Sequence, residues 1–361
     1  MSLVIVILIL LLTLAFFYLK CSMMQSLMTL WSAVLATIVA FSYYEWVANL
    51  IISRGYAPNY ALCGSFTILF VVIFASLRSL SELLITTPVD LGNVVKLPVA
   101  LVCGLLAGIL FSGNLLVALG LLPLHGKIFY SRFAPDATVV LSSPQTPALN
   151  TDGFVAGLYR QISSGSMRSA KSFGVLHADY LSQIHLNKLK TKEGVLSVSS
   201  RKALVLPKGK TKKPVRWKTV DDKEMAIVRV GVQAKKIEDG GAGDASSKLA
   251  FLPAQIRLIV KKANDTGRPM TGTAEPKYPV GLWEGEKVTK WTLNQIIAPD
   301  STEIVNRVYW MDVAFECSKS EETPVLLEFK QNAVVGLPEA VDSTPEIERA
   351  LDNEGEKEES L

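Results

Sequence analysis

The chain has 361 residues, 49% of them hydrophobic, with 37 basic and 33 acidic side chains and a net charge of +4. Charge that is small and balanced gives no footing for a nucleic-acid partner, which would need basic residues concentrated on one folded element. The four cysteines exclude a disulfide-stapled scaffold, because Cys21, Cys63 and Cys103 sit in the apolar N-terminal third, Cys317 stands alone beyond it, and no Cys-x-x-Cys pair exists for zinc or redox chemistry.

Four apolar stretches fill residues 1–124: 4–19 (VIVILILLLTLAFFYL), 27–52, 61–77 and 97–122. A helix rises about 1.5 Å per residue and needs roughly 20 apolar residues to cross a hydrocarbon core of about 30 Å. The second and fourth stretches meet that length, and the first and third lie at its lower end. A soluble core helix would show a polar face, and these show none. Residues 1–124 therefore read as a four-helix transmembrane domain. A signal peptide fits the first stretch poorly, since no Lys or Arg precedes it and no small-x-small cleavage site follows it.

Basic residues set the expected topology. Lys20 follows the first helix, and Arg78 and Lys96 flank the link between the third and fourth, against Arg54 alone on the other side. Cytoplasmic loops favour Lys and Arg, so both termini and the C-terminal domain are expected outside. Tyr43, Tyr44 and Trp46 mark the outer end of the second helix at headgroup level and Trp31 its inner end. Glu45 lies inside that aromatic cluster. At the bilayer centre it would cost about 2.5–3.5 kcal/mol, so it reads as an interfacial carboxylate in reach of water, with a proton relay as the alternative. On the fourth helix Ala100, Gly104, Gly108 and Ser112 recur every four residues, with Ala107 and Gly113 close by. Small residues let backbones approach, and the stripe predicts helix packing within the bundle or between copies of the chain. Leu80, Leu83, Leu84 and Ile85 suggest a short run along the membrane surface before Pro88.

An opening apolar helix that ends in Lys20, the run LRSLSELL after the third helix, and a fourth helix carrying Gly104, Gly108 and Gly113 in G-x-x-x-G spacing resemble the colicin V production (CvpA) family of small bacterial inner-membrane proteins. The resemblance covers roughly residues 1–124. Glycines usual near the basic end of the family's first helix are missing from FFYLKCS. The resemblance implies residence in the bacterial inner (plasma) membrane and a part in toxin production or export and in cell-envelope function. It supplies no catalytic residue.

The outer part divides into a mixed α/β connecting region (125–222), a β-sandwich domain (223–338) and an acidic tail (339–361) expected to be disordered. Thr151 and Asp152 are placed to cap a helix with Phe154, Leu158 and Ile162 on one face, and a second helix or extended pair falls within 176–189. Residues 188–218 are strongly basic and read as a solvated hairpin and loop, with contact to anionic lipid headgroups as the alternative. Segments 226–236, 254–262, 288–296, 307–317 and 324–335 are rich in Val, Ile, Trp and Tyr, and glycine-bearing turns punctuate them, DGGAGD among them. The expected fold is thus a membrane all-α four-helix domain followed by a mostly β, immunoglobulin-like sandwich outside the cytoplasm.

Chemistry is sparse. The histidines are His125, His177 and His185, and there is no G-x-S-x-G, GDSGG or H-E-x-x-H. Ser163-Ser164-Gly165-Ser166 is a loop composition with no evident base, and His177 and Asp179 would point apart on a helix. PKGKT has Leu204 where a P-loop needs glycine, and Asn264-Asp265-Thr266 is a glycosylation triplet of the kind chance produces. No catalytic, cofactor or metal residue is assigned. The expected partners are the lipid bilayer, an envelope or secretion protein, and a second copy of the chain. The alternative function is a small-solute channel or transporter, which would want ionisable residues buried between helices, and the first, third and fourth helices have none at their centres.

Overall fold

The computed structural model describes residues 2–84, 92–124, 132–133, 139–165, 170–190, 193–209, 212–234, 248–265 and 267–352. Among them, four helices are long and apolar enough to cross a membrane: α1 (Ser2–Lys20), α2 (Met23–Ile52), α3 (Pro58–Leu84) and α4 (Asn93–Leu121). Ser22 starts α2 with a capping box, its Oγ accepting from the Gln25 N–H at 3.3 Å while Gln25 Oε1 accepts from the Ser22 N–H at 2.9 Å. Hydroxyls inside the bundle donate to their own helix, as Thr29 does to the Gln25 carbonyl (2.6 Å) and Ser32 to that of Met28 (2.8 Å). Asn114 of α4 crosses to α2, donating to Thr37 Oγ1 at 2.9 Å.

The small-residue stripe on α4 is spent inside the chain. A Cβ on Gly104 would stand 3.2 Å from Phe17 Cβ, and one on Gly108 would stand 2.8 Å from Leu10, so α1 lies antiparallel in that groove. Ala100 is also buried, and Ser112 is buried with its hydroxyl on the Ile109 carbonyl. Further along, Gly113 receives the Thr151 backbone and Val155, and Gly120 receives Ile184. One helix thus carries α1 on one side and parts of the following helical segment, at Gly113 and Gly120, on another.

That segment comprises α5 (Thr151–Ser164), α6 (Phe173–Leu176) and α7 (Tyr180–Asn187), of which α5 and α7 meet these glycines. Thr151 and Asp152 are buried inside α5 rather than capping it, and Asn150 precedes the helix in left-handed conformation (φ 40°) with no side-chain cap bond. The inward face is Val155, Ala156, Tyr159 and Ser163, while Phe154 is 46% exposed. A glycine-lined groove admits a backbone and a Val methyl more closely than a Phe ring, so Phe154 turns outward while Leu158 packs at the edge of the core.

Among the described residues twelve strands make two sheets: β1 (Leu204–Val205), β2 (Val215–Val220), β3 (Lys223–Gln233), β4 (Ile256–Lys262), β5 (Glu275–Lys277), β6 (Pro279–Trp283), β7 (Val288–Lys290), β8 (Ile304–Val305), β9 (Val308–Glu316), β10 (Glu322–Phe329), β11 (Ala333–Gly336) and β12 (Val341–Asp342). The larger runs β12-β2-β3-β9-β6-β7, with β1 on β3 and β8 on β9; the smaller runs β11-β10-β4-β5. Val215, Val228 and Phe315 of one sheet share a core with Ile256, Leu258 and Leu327 of the other. The β2–β3 hairpin closes through Asp221 and Asp222, both at positive φ (50° and 60°), the geometry a two-residue hairpin turn requires. β4 is buried on both faces: Ile256, Leu258 and Val260 look into the sandwich, and Ile259 packs with Val175 and Ala178 near α6 and α7.

Several expectations need correction. β1 and β2 belong to the large sheet, so the β domain begins well before residue 223. The basic segment is no solvated hairpin: Leu189, Val195, Leu196 and Val198 are buried, Asn187 donates to the Ser197 carbonyl at 2.6 Å, and Arg216 is fully buried. The expected strand at 288–296 ends at Lys290. Helix α3 continues through Leu80, Leu83 and Leu84, while Ile85 and Pro88 lie outside the described residues. Residues 339–352 are not a disordered tail. β12 pairs in parallel with β2, and α8 (Pro345–Asp352) brings Glu348 within 2.6 Å of Arg216, which also holds Asp312 at 2.5 Å. Glu348, an acidic residue that looked solvating, joins Asp312 in neutralising a buried cation. DGGAGD and residues 353–361 lie outside the described residues.

Candidate functional site

A continuous line of polar side chains joins the far end of α2 to the smaller sheet. It starts at Glu45, whose Oε1 accepts from the Tyr44 hydroxyl at 3.0 Å and stands 3.3 Å from His177 Nε2. His177 follows α6 and is 3% exposed. Its Nδ1 lies 3.1 Å from Gln183 Oε1 on α7, and Gln183 Nε2 donates to Glu328 Oε1 on β10. Glu328 Oε2 accepts from Arg257 Nη2 at 2.5 Å, a directly opposed pair across β10 and β4, and Arg257 Nη1 donates to the Ala178 carbonyl at 2.7 Å. Beside this line, the turn after β10 sends Gln331 Nε2 to the Tyr44 hydroxyl at 3.2 Å, and Lys330 Nζ to the Ala250 carbonyl at 3.0 Å.

The bonding pattern favours a protonated imidazole. Glu328 can only accept, so Gln183 turns its NH2 to Glu328 and its oxygen to His177. His177 Nδ1 must then donate, and Nε2 faces a carboxylate. A ring protonated on both nitrogens satisfies both contacts. Burial pulls the His177 pKa down, but the Glu45 carboxylate, together with Glu328 and Gln183, holds the group above its ordinary value. Charge alternates along the line as Glu45, His177, Glu328, Arg257, so each buried charge has an opposite neighbour, as burial demands. His185, on α7 against Gly120, makes the contrast. Burial, with Lys188 and Arg132 nearby, holds it well below its ordinary value, and it is neutral. Burial also pulls Lys188 down to about 8.

Beside Glu45 and His177 opens a cleft of about 320 Å³, with Phe41, Tyr159 and Phe173 as its apolar wall and Lys171 at its edge. Phe41 and Tyr159 stack at 5.0 Å, and Tyr159 shares a hydrogen bond with Ser42 at 2.7 Å. With both nitrogens engaged, His177 has no free ring atom to serve a nucleophile; Ser163, on the same cleft, donates to the Arg160 carbonyl at 3.1 Å. A larger cavity of about 550 Å³ lies by the β4–β5 edge, where Lys261 pairs with Asp265 at 2.7 Å. Among the described residues no group of three or more His, Cys, Asp or Glu is arranged to hold a metal.

Of the residues given a packing or topology role from sequence, Glu45 reaches this site; His177 and Tyr44, singled out for other reasons, meet it there. The Glu45 side chain is 27% exposed and ion-paired rather than simply facing water. Tyr43 and Trp46 are exposed as expected, but Tyr44 is fully buried, turned from headgroup level into the joint. Arg78 donates to Thr29 Oγ1 at 2.5 Å and pairs with Glu82 at 2.8 Å; Lys20 is exposed and Lys96 half-buried. His177 meets Glu45 and Gln183, not Asp179. His125, Ser166 and Thr266 lie outside the described residues. Gln183, Arg257, Glu328 and Gln331 were missed. The available signal was the interruption of two apolar strand runs by one opposite charge each, Arg257 in QIRLIV and Glu328 in VLLEF. Comparison with protein-family models, with curated proteins and with solved structures found no match to this chain.

Proposed function

We propose that this chain is a non-enzymatic, multi-pass protein of the bacterial inner membrane, of the CvpA type, which assists toxin or peptide production or export and envelope function. α1–α4 span the bilayer, and the two-sheet domain, an immunoglobulin-like sandwich in this reading, stands outside the cytoplasm and receives an envelope or secretion protein. The observation that carries the reading is the Glu45–His177–Gln183–Glu328–Arg257 line. A tethered domain needs only a linker. Here four alternating charges bolt the sheets to α2, which suits a platform that presents a surface at fixed height and orientation. The imidazole, which is the natural general base, is consumed as a structural cation.

The test uses the full chain in native membranes, with photo-crosslinkers on the exposed edges β5 and β7. Adducts with secretion or envelope components, together with loss of peptide export in the deletion strain, are the expected results. A phosphatase fused after Leu361 should be active outside the cytoplasm. Solute flux through liposomes carrying the intact protein, without such adducts, would replace this reading by the channel alternative.

A further inference from the structure

Helix α1 fixes where hydrocarbon must end. It has 19 residues, a length of about 28 Å at 1.5 Å per residue, just enough for a core of about 30 Å. If it spans, it has no turn to spare. Its outward side chains are apolar from Leu3 and Val4 (44% and 68% exposed) to Leu19 (71%). Its register on α4 is antiparallel: Phe17 on Gly104, Leu10 on Gly108, and Val6 in one cluster with Leu116. Hydrocarbon at the first turn of α1 therefore reaches the level of Leu116 on α4.

Gly113 lies below that level, between the points where Leu10 and Val6 touch α4. It is there that α5 begins, with the Thr151 backbone and Val155 against Gly113. From this depth α5 climbs along α2, with Tyr159 stacked on Phe41. On its outward side α5 carries Phe154 (46% exposed), with Leu158 half-buried at the edge of the bundle core and Ile162 partly exposed; Gln161 is the polar exposed side chain, near the helix end farthest from Gly113, and Leu149, two residues ahead of the helix, is 66% exposed. On a water-facing helix such a face is a liability. At the depth set by α1 its surroundings are acyl chains.

We propose that α5 is a half-embedded helix, with Leu149, Phe154, Leu158 and Ile162 in contact with the lipid acyl chains of the leaflet that faces the two-sheet domain. Its other face seals against α4 and α2, so the connecting region anchors the sheets in the bilayer as an interfacial amphipathic helix does. This rests on the membrane-spanning reading of α1–α4 but not on any reading of partner or export.

Benzophenone photo-crosslinking of the full chain in nanodiscs tests it, with p-benzoylphenylalanine placed singly at Phe154, Leu158, Leu11 on the outward side of α1, and Val305 at the exposed β8–β9 hairpin. Lipid adducts at Phe154 and Leu158 at yields comparable to Leu11 and several-fold above Val305 are the expected result. Lipid adducts at Leu11 but only background at Phe154 and Leu158 would overturn the proposal and leave the spanning bundle standing. Crosslinked dimers at Phe154 in place of lipid adducts would overturn it in favour of a second copy on that face. No lipid adduct at Leu11 removes the bundle reading and this proposal together.

Discussion

The seam between α1 and α4 is made of hydrocarbon, with Phe17 and Leu10 laid over Gly104 and Gly108, whereas the joint between α2 and the sheets runs through two carboxylates, an imidazolium and a guanidinium. The difference follows from what each surface would face if opened. Lipid is as apolar as a leucine, so burial there gives no drive and only close approach holds the helices. At the joint, parting the elements exposes or strands charges, and each is tolerable only with its opposite neighbour in place. The seam admits many apolar residues of the right size. The joint admits one arrangement, because Gln183 fits only with its oxygen to His177 and its NH2 to Glu328.

The most severe break in that comparison is at Arg257 and Glu328, 2% and 1% exposed. Arg257→Ala leaves a buried carboxylate unpaired, and breaking such a pair costs about 3–5 kcal/mol. The thermal midpoint in detergent should fall sharply. Arg257→Met combined with Glu328→Leu removes both charges and should recover a large part of the loss; an equal loss in the double variant would mean the charges are not what holds the joint. At the seam, Gly108→Leu drives a side chain into Leu10 at a cost of about 1–3 kcal/mol for overpacking. Gly64→Leu, with nothing within 4 Å of its Cβ position, is the control expected to leave the midpoint unmoved.

The sequence displayed these two materials unequally. Long apolar runs and a four-residue rhythm of small residues are local patterns, and they announced the helices and the face of α4 that packs. Most long strands could also be read, because β3, β4, β9 and β10 carry β-branched and aromatic residues. The joint joins residues far apart in the chain: Glu45 to His177, and Gln183 to Glu328. No period encodes such pairs. β2 hid in a stretch whose Lys and Arg looked solvated, since nothing local tells that Arg216 meets Asp312 and Glu348 in the fold. The outward turn of Phe154 was equally hidden, being decided by the shape of α4.

Acidity separates the two regions as well. The folded-state pKa of His177 is raised, so its pairing stabilises fully below the ordinary value of about 6.5 and is lost as pH rises through the higher native value. The advantage of the wild-type chain over His177→Gln in thermal midpoint should therefore be largest on the acid side of neutrality and shrink above it. The Gly108→Leu deficit, at a seam whose described residues include the thiols Cys21 and Cys103 but no carboxylate or imidazole, should keep its size across the same range. A wild-type advantage that grew with pH would place the proton elsewhere.

The smallest effect expected is the most instructive about why the joint works. Lys223 and Glu316 are paired at 2.9 Å, close to the 2.5 Å of Arg257 and Glu328, yet they are 58% and 53% exposed. Water screens them and solvates either partner when the other is removed, so Lys223→Ala should move stability by no more than about 0.5 kcal/mol. Two ion pairs of similar length, each linking neighbouring strands, would then differ several-fold in consequence. Geometry is common to both, and the solvent that would take over a stranded charge is what differs. A loss at Lys223 matching that at Arg257 would make pairing itself the source of strength, and the case for a joint built on buried, alternating charge would fail with it.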